Sequence, residues 1–144
     1  MQVDRRVLTV IQALALVCAI VVSGYLTYQK ATNGVPVCTV GGGCMAALYS
    51  PWGYILGIPL AYIGLTAATI LLLGTPWRRY EVRAISLVLL LIGALFEIYL
   101  RYVEQAHFGG HVCMWCVSFM VFWWIAGACE LARVIRWPVA AAEE

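Results

Sequence analysis

The chain has 144 residues, of which 64% are hydrophobic and only 11% are charged, and its mean hydropathy is +0.90. An ordinary soluble domain carries about 25% charged residues, so the composition excludes a soluble globular protein and indicates an integral membrane protein. The net charge of +2 is too small to favour a surface that binds nucleic acid.

Four segments are long and apolar enough to cross a bilayer, which takes roughly 20 helical residues. We predict an all-α membrane protein, a four-transmembrane-helix bundle with spans at about 7–26, 54–73, 84–103 and 112–135. An outer loop with a half-helix, residues 27–53, connects the first two spans, and residues 1–144 form a single domain. The first span resembles a signal peptide after Arg5 and Arg6, but it is too long and lacks a clear cleavage site.

The basic residues predict how the bundle is oriented. Seven of the nine fall on one side: Arg5, Arg6, Arg78, Arg79, Arg83, Arg133 and Arg136. Only Lys30 and Arg101 fall on the other side. Because cytoplasmic loops carry the excess of Lys and Arg, we expect both termini in the cytoplasm and the 27–53 loop outside.

Four of the six cysteines fall on the outer side of this bundle: Cys38, Cys44, Cys113 and Cys116. The outer compartment of a bacterium is oxidising and permits disulfides, so this grouping favours redox chemistry. The other two, Cys18 and Cys129, lie inside the first and fourth spans, where a thiol packs as a small apolar side chain.

The Cys113-Met-Trp-Cys116 sequence has C-x-x-C spacing at the predicted start of the last helix. Residues three apart share a helical face, and a helix N-terminus favours a thiolate. The same spacing also occurs in zinc sites and at haem attachment sites, but haem attachment needs His after the second cysteine, and Val117 follows here.

Cys38 and Cys44 are separated by five residues, three of which are glycines. Such a loop can bring the two sulfurs together or swing one of them toward another partner, and a static disulfide is the alternative. A zinc site made of four thiolates, extended by His107 and His111, fits the spacing poorly because zinc knuckles use two C-x-x-C pairs.

The second predicted span begins near a proline and several small residues. Ser50 before Pro51 is a good N-cap, and Pro59 is expected to kink the span. Small residues recur at every fourth position and allow a helix or a ring to approach closely: Gly53, Gly57 and Ala61.

Two further sets of residues carry candidate roles. Phe119, Met120 and Trp123 continue below Cys116 and suit either stacking on a flat ring or plain core packing. Glu97 lies inside the third span, where an ion pair with Arg101 one turn later is the simpler interpretation; a proton-relay role stays open because buried ionisable groups in membranes are often functional.

These motifs together resemble the bacterial homologues of vitamin K epoxide reductase. The resemblance is carried by the Cys-x5-Cys pair after the first span, Ser50-Pro51-Trp52-Gly53, Gly57-Ile58-Pro59-Leu60, Gly64, and a C-x-x-C opening the last helix. It covers most of the chain, in the single-domain form that lacks a fused thioredoxin-like domain.

The resemblance implies roles for the cysteines. Cys113 and Cys116 would be the active-site pair beside a quinone, with Cys116 nearest the ring. Cys38 would accept electrons from a partner thiol, and Cys44 would pass them on by attacking Cys113. Ser50 aligns with a serine that the family places near these sulfurs.

The implied activity is that of a quinone-dependent thiol oxidoreductase of the bacterial inner membrane, which generates disulfides for extracytoplasmic protein folding with a separate thioredoxin-fold protein as electron donor. The animal enzymes have an asparagine where this chain is apolar around Leu60, and a tyrosine where it has Met120. These departures favour thiol oxidation over epoxide reduction. Competing interpretations are a small transporter that binds cations at Glu97 and a zinc-stabilised membrane scaffold.

Overall fold

A computed structural model describes residues 4–137 of the chain, and most of these are helical. In chain order the elements are helix α1 (Arg5–Ala31), helix α2 (Cys44–Tyr49), a 3-10 turn (Pro51–Gly53), strands β1 (Tyr54–Ile55) and β2 (Ile58–Pro59), and helices α3 (Leu60–Gly74), α4 (Tyr80–His107) and α5 (Met114–Arg136). The half-helix predicted in the outer loop is present as α2.

Three helices, α1, α4 and α5, are long and apolar enough to cross a membrane. Helix α3 is apolar but has only 15 residues, about 22 Å at 1.5 Å per residue, which is shorter than a hydrocarbon core of about 30 Å. The mostly helical membrane bundle is therefore confirmed, and the count of four spans stays a prediction.

The start of the second predicted span is wrong, because a β-hairpin occupies its first residues. Tyr54 pairs with Pro59 and Ile55 with Ile58, and the two residues between the strands, Leu56 and Gly57, both have positive φ. Two such residues form a tight hairpin turn.

This hairpin changes the role of the prolines and small residues nearby. Pro59 ends the hairpin and immediately precedes α3 instead of kinking a helix. Gly53 and Gly57 lie before α3, so together with Ala61 they do not form one helical stripe. The four-residue spacing of these small residues suggests a helix, because composition does not distinguish an apolar hairpin from an apolar helix.

The core lies where α1, α3, α4 and α5 meet. Its buried members are mostly small or aliphatic: Ala15, Leu16, Ala19, Ala68, Leu71, Leu90, Trp123 and Ala126. Alanines let helix backbones approach closely, which is how membrane helices gain packing energy without a hydrophobic driving force. Cys129 is also buried and Cys18 half-buried, both as free thiols, as expected for packing residues.

A buried polar cluster joins the helices at one end of the bundle. Glu130 accepts hydrogen bonds from Arg83 (Nε–Oε1, 3.2 Å) and Arg133 (Nη1–Oε2, 3.1 Å). Arg133 also donates to the side chain of Gln12 and to the carbonyl oxygen of Thr75. The contacts connect α1, α4, α5 and the end of α3, so two of the basic residues predicted on one side, Arg83 and Arg133, lie together at this end.

At the opposite end, the segment between α1 and α2 is fastened to the bundle. The Tyr25 hydroxyl accepts the Val37 N–H (3.1 Å), and the Trp115 indole donates to the Val37 carbonyl oxygen (2.7 Å). The Lys30 ammonium donates to the Leu48 carbonyl oxygen and lies over the Tyr49 ring. These bonds hold the residues around Cys38 and Cys44 against α1 and α5.

Candidate active site

The outer cysteines, Cys38 and Cys44, form a disulfide. Cys44 begins α2 and is fully buried, whereas Cys38 lies on the preceding loop and is half-buried. The bond therefore has one sulfur near the surface and one in the interior. A thiol arriving from outside has access only to the Cys38 sulfur.

The inner cysteines, Cys113 and Cys116, are free thiols at the start of α5. Cys113 is the N-cap residue, and its sulfur accepts the backbone N–H of Cys116 at 3.3 Å. Hydrogen bonding from Cys116, first through its thiol and then through its backbone N–H, lowers the pKa of Cys113 below that of an ordinary cysteine, although burial opposes the shift. Cys113 is thus prepared to act as a thiolate.

The glycine loop brings the two pairs together by close backbone contact. The Gly43 N–H donates to the Val112 carbonyl oxygen at 3.2 Å. A Cβ on Gly43 would lie 2.7 Å from the His111 carbonyl oxygen, and one on Gly41 would lie still closer to that of Val112. Because Cys44 follows Gly43 and Cys113 follows Val112, this contact brings Cys44 close to Cys113. In the structure this backbone contact holds the glycine loop against the residues before α5.

Three of the four redox cysteines line a cavity of about 70 Å³. Its lining includes Cys44, Cys113 and Cys116, together with Ser50 and Glu104. The remaining lining is mostly apolar, including Leu26, Leu48, Trp52, Pro59, Leu60, Ala61, Leu100, Val103 and Phe108. An apolar lining with a few polar groups is typical of a site for a small organic ligand.

Only part of the predicted ring-binding set faces this cavity. Leu60 and Ala61, at the start of α3, line it. Gly57 lies exposed in the turn between β1 and β2, and a Cβ added to it would have no neighbouring atom within 4 Å. Met120 is half-buried on α5 and is not part of the lining.

Phe119 and Trp123 pack in the core instead of lining the cavity. Their rings stack at a centroid distance of 5.4 Å. The indole of Trp123 lies against Gly93 and donates to the Leu90 carbonyl oxygen at 3.0 Å. The Trp123 N–H on α5 is satisfied by a carbonyl oxygen on α4, and Phe119 stacks on Trp123. Core packing therefore describes both positions.

One hydroxyl in the cavity lacks a hydrogen-bond partner among residues 4–137. The Ser50 hydroxyl is buried without a partner, and it makes no side-chain cap to the following turn, so the predicted capping hydrogen bond is absent. Buried polar groups are nearly always satisfied, so this hydroxyl points to a ligand or water in the cavity. Glu104 also lines the cavity and is only 4% exposed.

Sequence reasoning missed Glu104, although its spacing contained a signal. Glu97, Arg101 and Glu104 recur at intervals of four and three, which places all three on one helical face. The predicted ion pair between Glu97 and Arg101 is wrong, because Arg101 pairs with Glu104 instead (Nη2–Oε2, 2.6 Å). Glu97 is buried and does not line the cavity.

The two outer histidines do not assemble a metal site with the cysteines. His107 is exposed and stacks on Trp52 at 4.8 Å, and His111 approaches the Gly41 carbonyl oxygen at 3.3 Å. Within residues 4–137, no three His, Cys, Asp or Glu side chains are grouped as metal ligands. The Cys38–Cys44 disulfide also removes two of the four thiolates that a zinc site would use.

The chain matches a known protein family over most of its length. The sequence profile of the vitamin K epoxide reductase family matches residues 9–131, which is most of the chain. The matched range contains both cysteine pairs, Ser50, Glu104 and the whole cavity lining.

Proposed function

Because the chain belongs to the vitamin K epoxide reductase family, a family of oxidoreductases, we propose that it oxidises protein thiols at its outer surface and passes the electrons to a quinone. Electrons enter from a thioredoxin-fold protein at Cys38, cross to Cys113 and Cys116 through Cys44, and leave to the quinone. The net product is a disulfide in a protein outside the cell membrane. The carrying observation is that Cys44, Cys113 and Cys116 share one apolar cavity while Cys38 stays accessible.

The relay consists of ordinary thiol–disulfide exchanges. A partner thiolate attacks Cys38 and releases Cys44; a second partner thiol then resolves the mixed disulfide. The Cys44 thiolate attacks an oxidised Cys113–Cys116 pair at Cys113, and Cys38 attacks Cys44 in turn, which restores the outer disulfide and leaves two inner thiols.

The chemistry of the cavity lining suits a quinone. Leu60 and Ala61 supply apolar wall, and the unpartnered Ser50 hydroxyl supplies a donor for a carbonyl oxygen. A quinone, when bound, supplies a two-electron acceptor that dissolves in the bilayer. The proposed quinone site does not include Phe119, Met120 or Trp123, because none of them lines the cavity.

The proposal includes an orientation in a bacterial inner membrane. The end that carries the buried Arg83–Glu130–Arg133 cluster would face the cytoplasm, by the rule that basic residues stay inside. The cysteine end would then face the oxidising compartment, with both termini cytoplasmic. Helix α3 would complete a fourth crossing together with the β-hairpin, which immediately precedes it in the chain.

Trapping of a bond between the two pairs tests the relay. In a Cys38→Ala/Cys116→Ala variant the relay intermediate between Cys44 and Cys113 has no resolving thiol, so we expect it to accumulate and to be detected by peptide mass spectrometry. A Cys18→Ala/Cys38→Ala variant is the matched control, since it keeps Cys116 to resolve the bond. Absence of the Cys44–Cys113 bond under mild oxidation contradicts the relay.

A second variant tests the ligand role of Ser50. Ser50→Ala removes a buried hydroxyl that has no partner, so the free energy of unfolding should stay the same or rise by about 1 kcal/mol. The KM for an added quinone should rise, because the ligand loses its donor. An unchanged KM would remove Ser50 from the site without affecting the cysteine relay.

A further inference from the structure

Glu104 is the acidic residue in the lining of the cavity that holds the inner cysteine pair. It lies in the last turns of α4 and is 4% exposed. Its Oε2 is paired with Arg101 Nη2 at 2.6 Å, and the same cavity lining contains Cys113 and Cys116. A carboxylate is therefore buried beside the redox sulfurs, inside the cavity where their protons must move.

Oxidation of the inner pair requires proton movement as well as electron movement. Formation of the Cys113–Cys116 disulfide breaks two S–H bonds and releases two electrons and two protons. Reduction of a quinone to a quinol consumes two of each, so the exchange balances inside the cavity if a side chain can carry a proton from sulfur to oxygen. Both inner sulfurs are shielded from bulk water, since Cys113 is 1% exposed and Cys116 is half-buried.

We propose that Glu104 accepts the thiol proton of the inner cysteine pair and returns it to the oxygen of the electron acceptor. This inference rests on the proposed function. One inner thiol gives its proton to the Glu104 carboxylate, and two electrons pass to the acceptor as the Cys113–Cys116 disulfide closes. The Glu104 carboxylic acid and the second inner thiol then each supply one proton to the reduced acceptor. The Arg101 guanidinium lies against this carboxylate (Nη2–Oε2, 2.6 Å) and balances its charge when it is ionised.

Other charged and titratable groups surround this carboxylate. On its own helix these are Arg101, Glu97 and the exposed His107. The start of α5 contributes the two inner thiols, and α1 contributes the Lys30 ammonium, which donates to the carbonyl oxygen of the cavity residue Leu48. Cys44, on α2, is held in a disulfide and does not titrate. Glu104 is thus the carboxylate that couples most directly to the thiols.

The decisive experiment uses quinone-free, reduced protein in detergent. The rate at which iodoacetamide alkylates Cys113 is measured against pH by peptide mass spectrometry in a Cys116→Ala background, so that a second inner thiol adds no titration of its own. Protein with Glu104 intact should give a profile with two bends, because a carboxylate and a thiol that share a proton titrate as a coupled pair. Glu104→Gln, which keeps the shape of the side chain but cannot hold the proton, should give one bend, and Glu104→Asp should restore the second.

Quinone reduction provides the second readout. Glu104→Gln should slow reduction of an added quinone by on the order of 100-fold or more, while reduction of the Cys38–Cys44 disulfide by a dithiol stays at the wild-type rate. Glu97→Gln is the matched control, since Glu97 is buried on the same helix outside the cavity; it should keep both the two-bend profile and the turnover rate.

The outcomes separate this inference from the function beneath it. A wild-type protein that reduces no quinone contradicts the proposed function, and its alkylation profile still reports on Glu104. An active wild type with an equally active Glu104→Gln variant overturns the role of Glu104 alone. If the Glu104→Gln variant fails to fold, the alkylation profile of the protein with Glu104 intact tests the proposal by itself, because a single bend in that profile also overturns it.

Discussion

A methyl group on Gly43 should separate the two cysteine pairs. The Cβ of Gly43→Ala would lie 2.7 Å from the His111 carbonyl oxygen and 2.9 Å from the carbonyl carbons of His111 and Val112. All three are backbone atoms, so no side-chain rotation relieves the contact. Ordinary contact begins near 3.4 Å, so the two backbones must move apart by about 0.7 Å.

This displacement acts directly on the relay because Cys44 follows Gly43. We expect an overpacking penalty of about 1–3 kcal/mol in the free energy of unfolding. A misplacement approaching 1 Å between reacting groups slows a reaction by about 100-fold, so the yield of the Cys44–Cys113 bond in the trapping variant should fall by about that factor.

Gly42→Ala is the matched control for this prediction. Its Cβ would have His111 Nδ1 as nearest atom, at 3.7 Å, so it meets no clash, but its φ of +68° disfavours any residue with a Cβ. It should lose roughly 1 kcal/mol of stability and keep most of the trapped bond. Equal trapping in both variants, or an equal loss in both, refutes the claim that the Gly43 contact aligns the pairs.

Three further predictions follow from buried contacts. Glu130→Ala leaves two guanidinium groups buried without their shared carboxylate, so thermal unfolding in detergent should show a loss of about 3–5 kcal/mol with trapping yield unchanged; a loss below about 1 kcal/mol would mean that water already reaches the cluster. Trp123→Phe should lower stability by about 1 kcal/mol through the lost hydrogen bond to Leu90 and leave the KM for quinone unchanged, whereas a raised KM would return Trp123 to the ligand site. Cys116→Ala removes the main cause of the lowered Cys113 pKa, so the Cys113 thiolate should disappear at higher pH than in wild-type protein, and alkylation at neutral pH should slow; an unchanged alkylation profile contradicts that cause.

The helices were predictable from the sequence, and the boundary between α2 and α3 was not. Runs of about 20 apolar residues correctly identified α1, α4 and α5, because no other structure satisfies the backbone inside a bilayer. The Tyr54–Ile55 and Ile58–Pro59 strands are equally apolar, so hydropathy alone merged them with α3. Leu56 with positive φ was the least expected feature, since a bulky residue rarely adopts it.

The cysteine motifs indicated the redox pairs, but the surrounding site required coordinates. Spacing placed Cys113 and Cys116 on one helix start, whereas only the backbone contact at Gly43 reveals how the outer pair reaches them. Trp123 was ambiguous because a small rotation of α5 decides whether its indole faces the core or the cavity. The third predicted span ends at residue 103, just before Glu104, whereas α4 continues to His107 and buries the Glu104 side chain.

A single-turnover measurement tests the central claim most directly. Protein with the Cys38–Cys44 disulfide intact and the inner pair reduced, in lipid nanodiscs and without any donor, is mixed with a slight excess of quinone, and the quinol formed is counted against the inner disulfide by mass spectrometry. We predict one quinol per protein, formed together with one Cys113–Cys116 disulfide and lost in Cys116→Ala. Quinone that stays oxidised beside an intact inner dithiol would contradict the account.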